Sequence, residues 1–169
     1  MASKRQTVKE IIYDTVMATR RFAEREAKDA FKMTEKRLYA YPVIKLKIED
    51  DRERIDEISE HGAPGKSKSI LKYRRMGIRL TQDEIAEALI NDINAEIAEN
   101  EHEIETIDKA VDIIAGDTYG DIIRYKYFES KSDEQISEIL NCDPSTVRRN
   151  KSRLVGRLSV FLYGAAAVQ

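Results

Sequence analysis

One pattern constrains the fold of this chain more than any other: apolar residues recur every three and four positions between Ile90 and Ile114. The positions in this pattern are Ile90, Ile93, Ile97, Asn100, Ile104, Ile107, Val111 and Ile114, of which Asn100 alone is polar. Such spacing over more than three heptads is typical of a helix that packs along another helix, as in a coiled coil. Just before it, Thr81 and Glu84 match the capping box that begins helices. We therefore predict one long helix from about Thr81 to Ala115.

A second, matching pattern lies earlier in the chain. Its positions are Tyr41, Ile44, Ile48, Asp51, Ile55 and Ile58. Thr34 can cap a helix that continues to about Glu60, with Pro42 as an interruption. The two matching patterns predict a long antiparallel helical hairpin over residues 34–115. A separate N-terminal helix is predicted within residues 1–33, and the predicted fold class is all-α.

The segment that joins the two predicted helices, residues 61–80, is basic. Between Gly62 and Leu80 it holds six Lys or Arg and no Asp or Glu. These charges are interspersed with Gly and Ser and have no helical spacing, so they suit electrostatic contacts with a DNA backbone or an acidic partner. The residues that we expect to make such contacts are Lys66, Lys68, Arg74 and Arg75.

The composition favours a helical protein of the cytoplasm. Charged residues make up 36% of the chain, with 7 Gly and 3 Pro, which fits helices better than a sandwich or barrel. The single cysteine, Cys142, excludes an internal disulfide and suits a reducing compartment. The longest apolar stretch, LSVFLYGAAAV, is too short to span a bilayer, and the N-terminus lacks the apolar core of a signal peptide. We expect no membrane partner.

Residues 116–164 carry the signals of two short helices joined by a tight turn. Ser132 and Gln135 match a capping box, and Asn141 suits the left-handed conformation that the turn NCD needs. Asp143 and Pro144 then suit the cap and first position of the next helix. Ile136, Ile139 and Leu140 are predicted to be buried on the first helix, and Val147, Leu154 and Leu158 on the second. This arrangement is typical of a helix-turn-helix DNA-binding domain, followed by a tail at residues 165–169.

The second of these helices has no acidic residue after Asp143 and is rich in arginine. In a recognition helix the N-terminal turns reach base edges, and later basic residues reach phosphates. The predicted base-reading residues are Ser145, Thr146, Arg148 and Arg149, and the predicted backbone contacts are Lys151, Arg153 and Arg157. The alternative is a basic helix that binds an acidic partner. The chain's own acidic helix is one such partner, because it has eleven Asp or Glu against Lys109 alone between Thr81 and Ala115.

The segment DIIRYKYFESKSDEQISEILNCDPSTVRRNKSRLVGRL resembles region four of bacterial sigma factors. Together with TEKRLYAYPVIKLKIEDD and IDKAVDII, it resembles more closely the phage late-transcription regulators of the RinA/ArpU type, over residues 34–164. The resemblance implies a sequence-specific DNA-binding activator of phage or prophage late genes, acting in the cytoplasm of a bacterial host on double-stranded DNA. It leaves open whether host RNA polymerase is contacted. Two half-sites in such operators favour a homodimer.

The chain departs from the sigma pattern at three positions. Pro144 and Ser145 stand where charged residues are common, so the DNA sequence that is read does not follow by analogy. Asn150 stands where an apolar core residue is usual.

Nothing in the sequence predicts catalysis, a metal or a cofactor. His61 and His102 lie in different elements and have no metal-ligand pattern around them. Two other functions stay open. A phage DNA-packaging adaptor, such as a terminase small subunit, also joins a DNA-reading module to an oligomerising helical part. A free-standing sigma-like factor would need a polymerase-clamp segment, and the sequence has no recognisable one.

Overall fold

The computed structural model describes residues 8–63 and 81–168. Within these ranges the chain is helical and has no strand, which confirms the predicted all-α class. The α-helices are α1 (Val8–His61), α2 (Gln82–Asp112), α3 (Asp121–Ile123), α4 (Asp133–Ile139) and α5 (Pro144–Tyr163). A π-helical turn, Arg124–Phe128, follows α3, and a 3-10 turn, Gly164–Ala167, follows α5. No helix among the described residues is both long and apolar enough to cross a membrane.

The prediction that a helix begins at Thr34 is wrong, because α1 runs from Val8 to His61 without a break there. The Thr34 hydroxyl does not cap a helix but donates to the Ala30 carbonyl oxygen at 2.9 Å. A threonine inside a helix satisfies its hydroxyl in this way. Pro42 also lies inside α1.

The described chain divides into two compact units. One comprises Ala40–Asp108, and the other comprises the residues up to Tyr39 together with those from Lys109 onward. In the first unit, the predicted apolar positions on α1 and α2 are buried or half-buried. The buried core of this unit is formed by Ile48, Ile58, Ala63, Leu89, Ile93 and Ile97.

Polar contacts within this unit fix the direction of its helices. Tyr41 Oη donates to Asp108 Oδ1 at 2.7 Å, and Arg52 Nη2 donates to Glu101 Oε1 at 2.6 Å. Gln82 Nε2 donates to the Ala63 carbonyl oxygen at 3.1 Å. Residue numbers rise along α1 as they fall along α2, so the two segments pack in opposite directions. The predicted capping box begins α2, since Thr81 N donates to Glu84 Oε2 at 2.7 Å and Glu84 N donates to Thr81 Oγ1 at 3.3 Å.

The second unit brings the N-terminal part of α1 together with the C-terminal segment. Ala27, Ala30, Thr34 and Leu38 recur at steps of three and four and are buried. Tyr127 Oη donates to Glu35 Oε1 at 2.6 Å, and burial, followed by this hydrogen bond, raises the pKa of the Tyr127 phenol. The rings of Tyr39 and Tyr127 meet edge to face with centroids 4.6 Å apart. The N-terminal part of α1, which the family resemblance does not cover, therefore packs in the same unit as α3, α4 and α5.

A tight turn joins α2 to α3. α2 ends at Asp112, slightly before the predicted end at Ala115. Asp117 N donates to the Ile114 carbonyl oxygen at 3.0 Å, and Gly120 N donates to the Asp117 carbonyl oxygen at 2.8 Å. A Cβ atom on Gly120 would lie 2.5 Å from the Ile114 carbonyl oxygen, so only glycine fits there without a shift. This turn places the Asp117 side chain beside α5.

Candidate nucleic-acid interface

The segment from Ser132 to Tyr163, called here the α4–α5 segment, forms as the local sequence signals predict. Ser132 and Gln135 make both hydrogen bonds of a capping box at the start of α4. Asn141 takes the predicted left-handed conformation with φ of 48°, and Cys142 N donates to the Ser137 carbonyl oxygen at 3.0 Å. Pro144 occupies the first turn of α5. Asp143 is at its cap position with an extended backbone, but the predicted side-chain hydrogen bond is not formed.

A shared apolar core holds the α4–α5 segment. Side chains exposed to 1% or less include Ile136, Val147, Leu154, Val155 and Leu158 within the segment, and Ile122, Ile123 and Tyr127 just before it. The three predicted core positions of α5 are confirmed, and Val155 adds a fourth. The prediction for Ile139 is wrong, because this side chain is 49% exposed. It is the last residue of α4.

The predicted base-reading residues lie on the outer side of α5, and the two arginines among them differ in their contacts with acidic residues. Ser145, Arg148 and Arg149 are exposed, and Thr146 is half-buried. Arg148 Nε donates to Asp133 Oδ2 at 3.3 Å, and Arg148 Nη2 lies 3.6 Å from Glu134 Oε1. The Arg149 side chain forms no hydrogen bond or ion pair with any residue in the described part of the chain. Among the described residues, acidic side chains therefore hold Arg148 and do not hold Arg149.

The predicted backbone-contact residues Arg153 and Arg157 are brought to one carboxylate. Arg153 donates through Nη1 and Nη2 to the two oxygens of Asp117, both at 2.8 Å. Arg157 Nη1 donates to Asp117 Oδ2 at 3.3 Å. Tyr119 N also donates to Asp117 Oδ1, at 3.0 Å. The hydrogen bonds from Arg153, followed by that from Tyr119, lower the pKa of Asp117 to about 2.

Asn150 fits the core of the α4–α5 segment because all its polar atoms are used. The side chain is buried. Asn150 Nδ2 donates to the Thr146 carbonyl oxygen at 3.0 Å. Asn150 Oδ1 accepts from Nε and Nη2 of Arg153 at 3.1 and 3.0 Å. An asparagine at this apolar position thus orients Arg153 toward Asp117.

A hydrogen bond from Lys126 lowers the pKa of Asp133, and the charge of Lys151 adds a smaller effect in the same direction. The Lys151 side chain is half-buried.

The predicted contacts in the basic loop, Lys66, Lys68, Arg74 and Arg75, lie outside the described residues. Within the described residues, no cluster of three or more His, Cys, Asp or Glu is arranged to hold a metal ion.

The chain matches no protein-family model, no curated protein and no solved structure. Its function has to follow from the geometry and charges of its own residues.

Sequence reasoning did not find the acidic partners of the arginines. Asp117, Asp133 and Glu134 are not among the predicted site residues. The sequence feature that could have pointed to these acids is their position. Asp133 and Glu134 follow the capping residue Ser132, and Asp117 follows Gly116 at the end of the long helix. Which arginine each of them binds depends on how α5 crosses these elements.

Proposed function

We propose that this chain is a sequence-specific double-stranded DNA-binding protein that regulates transcription of phage or prophage late genes. In this proposal α4, the turn and α5 act as a helix-turn-helix like region four of sigma factors. α1 and α2 supply a coiled-coil-like helical hairpin that carries it. The protein is a non-catalytic regulator of the RinA/ArpU type in the cytoplasm of a bacterial host.

The observation that carries the proposal is the division of α5 into two sides. Val147, Leu154 and Leu158 are fully buried, while Ser145, Arg148 and Arg149 are exposed on the first turns of the helix. No acidic residue follows Asp143 in the chain. An N-terminal helix end with exposed arginines is the part of a recognition helix that enters a major groove. Arginine donates two parallel hydrogen bonds to guanine O6 and N7, which gives sequence discrimination.

Arg157 adds a second support. It lies on the later turns of α5, where phosphates pass a recognition helix, and it makes a single 3.3 Å contact with Asp117. Asp117 neutralises one of the two positive charges of Arg153 and Arg157, so this side keeps a net positive charge and Arg157 keeps donors for a backbone contact.

The test is selection of bound duplexes from a random double-stranded library by the purified full-length chain. We expect one enriched sequence class, bound at least about a thousandfold more tightly than random DNA at physiological salt. Arg148→Ala/Arg149→Ala should lose that preference and keep the helical fold. Arg54→Ala is the matched control, because it removes an exposed arginine of α1 and should keep the preference.

A transcription assay with host RNA polymerase then separates regulation from packaging. Stimulated transcription from a promoter near the selected site is the result expected of a regulator. Ring formation, together with binding to a large terminase subunit and no effect on transcription, would instead favour the packaging adaptor. Absence of any enriched sequence would reject DNA reading itself.

A further inference from the structure

Arg148 and Arg149 are neighbours and both exposed on α5, yet within the described part of the chain only Arg148 is held by acidic residues. Asp133 Oδ2 accepts from Arg148 Nε at 3.3 Å, and Glu134 Oε1 lies 3.6 Å from Arg148 Nη2. Despite these contacts, the Arg148 side chain remains 61% exposed. A side chain that is anchored and exposed at once is suited to present its free donors to a ligand.

The contacts occupy one edge of the Arg148 guanidinium. A guanidinium has two edges that can donate two parallel hydrogen bonds, one through Nε and Nη2 and one through Nη1 and Nη2. Asp133 accepts from Nε, and Glu134 lies near Nη2, so both acids are on the Nε–Nη2 edge. The Nη1 side carries no contact with them, so it can donate end-on to a pair of acceptors such as guanine O6 and N7.

Asp133 is itself fixed. Lys126 Nζ donates to Asp133 Oδ1 at 2.8 Å, and the Asp133 side chain is only 14% exposed. It is the first residue of α4, directly after the capping residue Ser132. The two carboxylate oxygens thus have different partners, Lys126 on one side and Arg148 on the other. Rotation of the carboxylate would break both contacts.

We infer that Asp133 is a positioning residue for base reading, which holds Arg148 so that its Nη1–Nη2 edge meets a base pair in the major groove. The inference rests on the proposed DNA-reading function. Arginine loses side-chain entropy when it is fixed, and a carboxylate that fixes it before DNA arrives removes that loss from binding. Arg149 has no such anchor among the described residues, so its contribution should not depend on Asp133.

The test compares Asp133→Asn with Arg148→Ala and their double variant, on duplexes selected by the full-length parent chain. Each variant is measured against the selected duplex and against duplexes with one base pair changed. The discrimination at a position is the ratio of these two dissociation constants. Arg148→Ala should lower it by about tenfold at one position. Asp133→Asn should lower it by about threefold at that same position only, and should have no further effect when Arg148 is already alanine.

Asp143→Asn is the matched control. Asp143 is an exposed acid of the same segment and makes no side-chain cap bond, so its replacement removes the same negative charge near the DNA without releasing an arginine. It should strengthen binding to all duplexes alike and keep the discrimination at every position. Arg149→Ala combined with Asp133→Asn should give independent effects at two different positions.

Several outcomes would overturn the inference. They are unchanged discrimination in Asp133→Asn, an equal loss at every position, or a further loss in the double variant at the position that Arg148 reads. Unchanged discrimination in Arg148→Ala, with the fold intact, would also overturn it and would leave DNA reading by other residues standing. If the parent chain prefers no duplex over random DNA, the proposed function itself fails.

Discussion

Arg153 and Asp117 are 36 residues apart in the chain and form a two-point ion pair, with both nitrogen–oxygen distances at 2.8 Å. The pair joins the turn after α2 to the middle of α5. Asn150 holds the other side of the Arg153 guanidinium. Since three donor nitrogens of Arg153 are occupied in this way, Arg153 is better placed to fix α5 on its core than to follow a phosphate. Arg157, with its single 3.3 Å contact to Asp117, keeps most of its donors.

Asp117→Asn should reduce stability in a pH-dependent way. The pKa of Asp117 is lowered from 3.8 to about 2, so the folded chain takes up this proton less readily than the unfolded chain. The stabilisation is therefore complete above about pH 4 and is lost as the pH falls toward 2. At pH 7 we expect a loss of about 1 kcal/mol in the free energy of unfolding.

Urea unfolding of parent and variant at pH 7, 4, 3 and 2 measures this difference. It should shrink as the pH falls below about 4. Asp143→Asn serves as the control and should leave the free energy of unfolding at pH 7 nearly unchanged. A difference between parent and Asp117→Asn that stays constant from pH 7 to 2 would contradict the assignment.

The glycines around Asp117 should respond differently to alanine. Gly120→Ala places a Cβ 2.5 Å from the Ile114 carbonyl oxygen, whereas a Cβ on Gly116 has nothing within 4 Å. Because backbone cannot move as cheaply as a side-chain end, Gly120→Ala should cost about 1–3 kcal/mol of stability. Gly116→Ala should be neutral or slightly stabilising. Thermal melts of both variants test this, and equal melting temperatures would show that the turn adapts.

A buried carboxylate in the Ala40–Asp108 unit offers a stability prediction. Asp51 is fully buried, and Lys47 binds its Oδ1, while Oδ2 has no hydrogen-bond partner among the described residues. Burial of a charge that is only half-satisfied is unfavourable. Asp51→Leu should therefore be neutral or raise the free energy of unfolding, by up to about 3 kcal/mol.

Lys47→Met is the matched contrast, because it removes the one partner that the described residues supply to Asp51 and leaves the carboxylate buried. It should lower the free energy of unfolding by about 2 kcal/mol, less than for a fully buried pair, since Lys47 is 45% exposed. Urea unfolding at pH 7 compares the two variants. If Asp51→Leu is the more damaging, the carboxylate has a favourable role that its contacts do not reveal.

Local signals in the sequence predicted much of this structure. Apolar spacing identified the buried sides of α1 and α2, and capping boxes identified the starts of α2 and α4, because both depend on residues close in the chain. The start at Thr34 failed because a threonine hydroxyl can be satisfied in both places: at a cap it accepts from a backbone N–H, and inside a helix it donates to the carbonyl four residues back. The partners of Arg148 and Arg153 lie 15 and 36 residues away. Periodicity carries no information about such contacts, so Asp117 and Asp133 emerged as partners only from the packed structure.

Arg149→Ala and Arg157→Ala should weaken DNA binding in two different ways. Arg149 lies on the exposed first turns of α5 and has no ion pair among the described residues, so its loss should remove a base contact. The binding free energy for the selected duplex should weaken by about 1–3 kcal/mol, and the difference in affinity between the selected duplex and random DNA should become smaller. Arg157 lies two turns further on, so its loss should weaken all sequences alike and reduce the slope of log K against log salt by about 0.9. Fluorescence anisotropy over a series of salt concentrations measures both quantities on the same two duplexes.

The two arginines carry the same charge on the same helix, so a general electrostatic effect would give them the same result. If both variants change only the salt slope, α5 binds DNA without reading it. If neither variant changes anything and the fold is intact, α5 is instead a basic helix for an acidic partner.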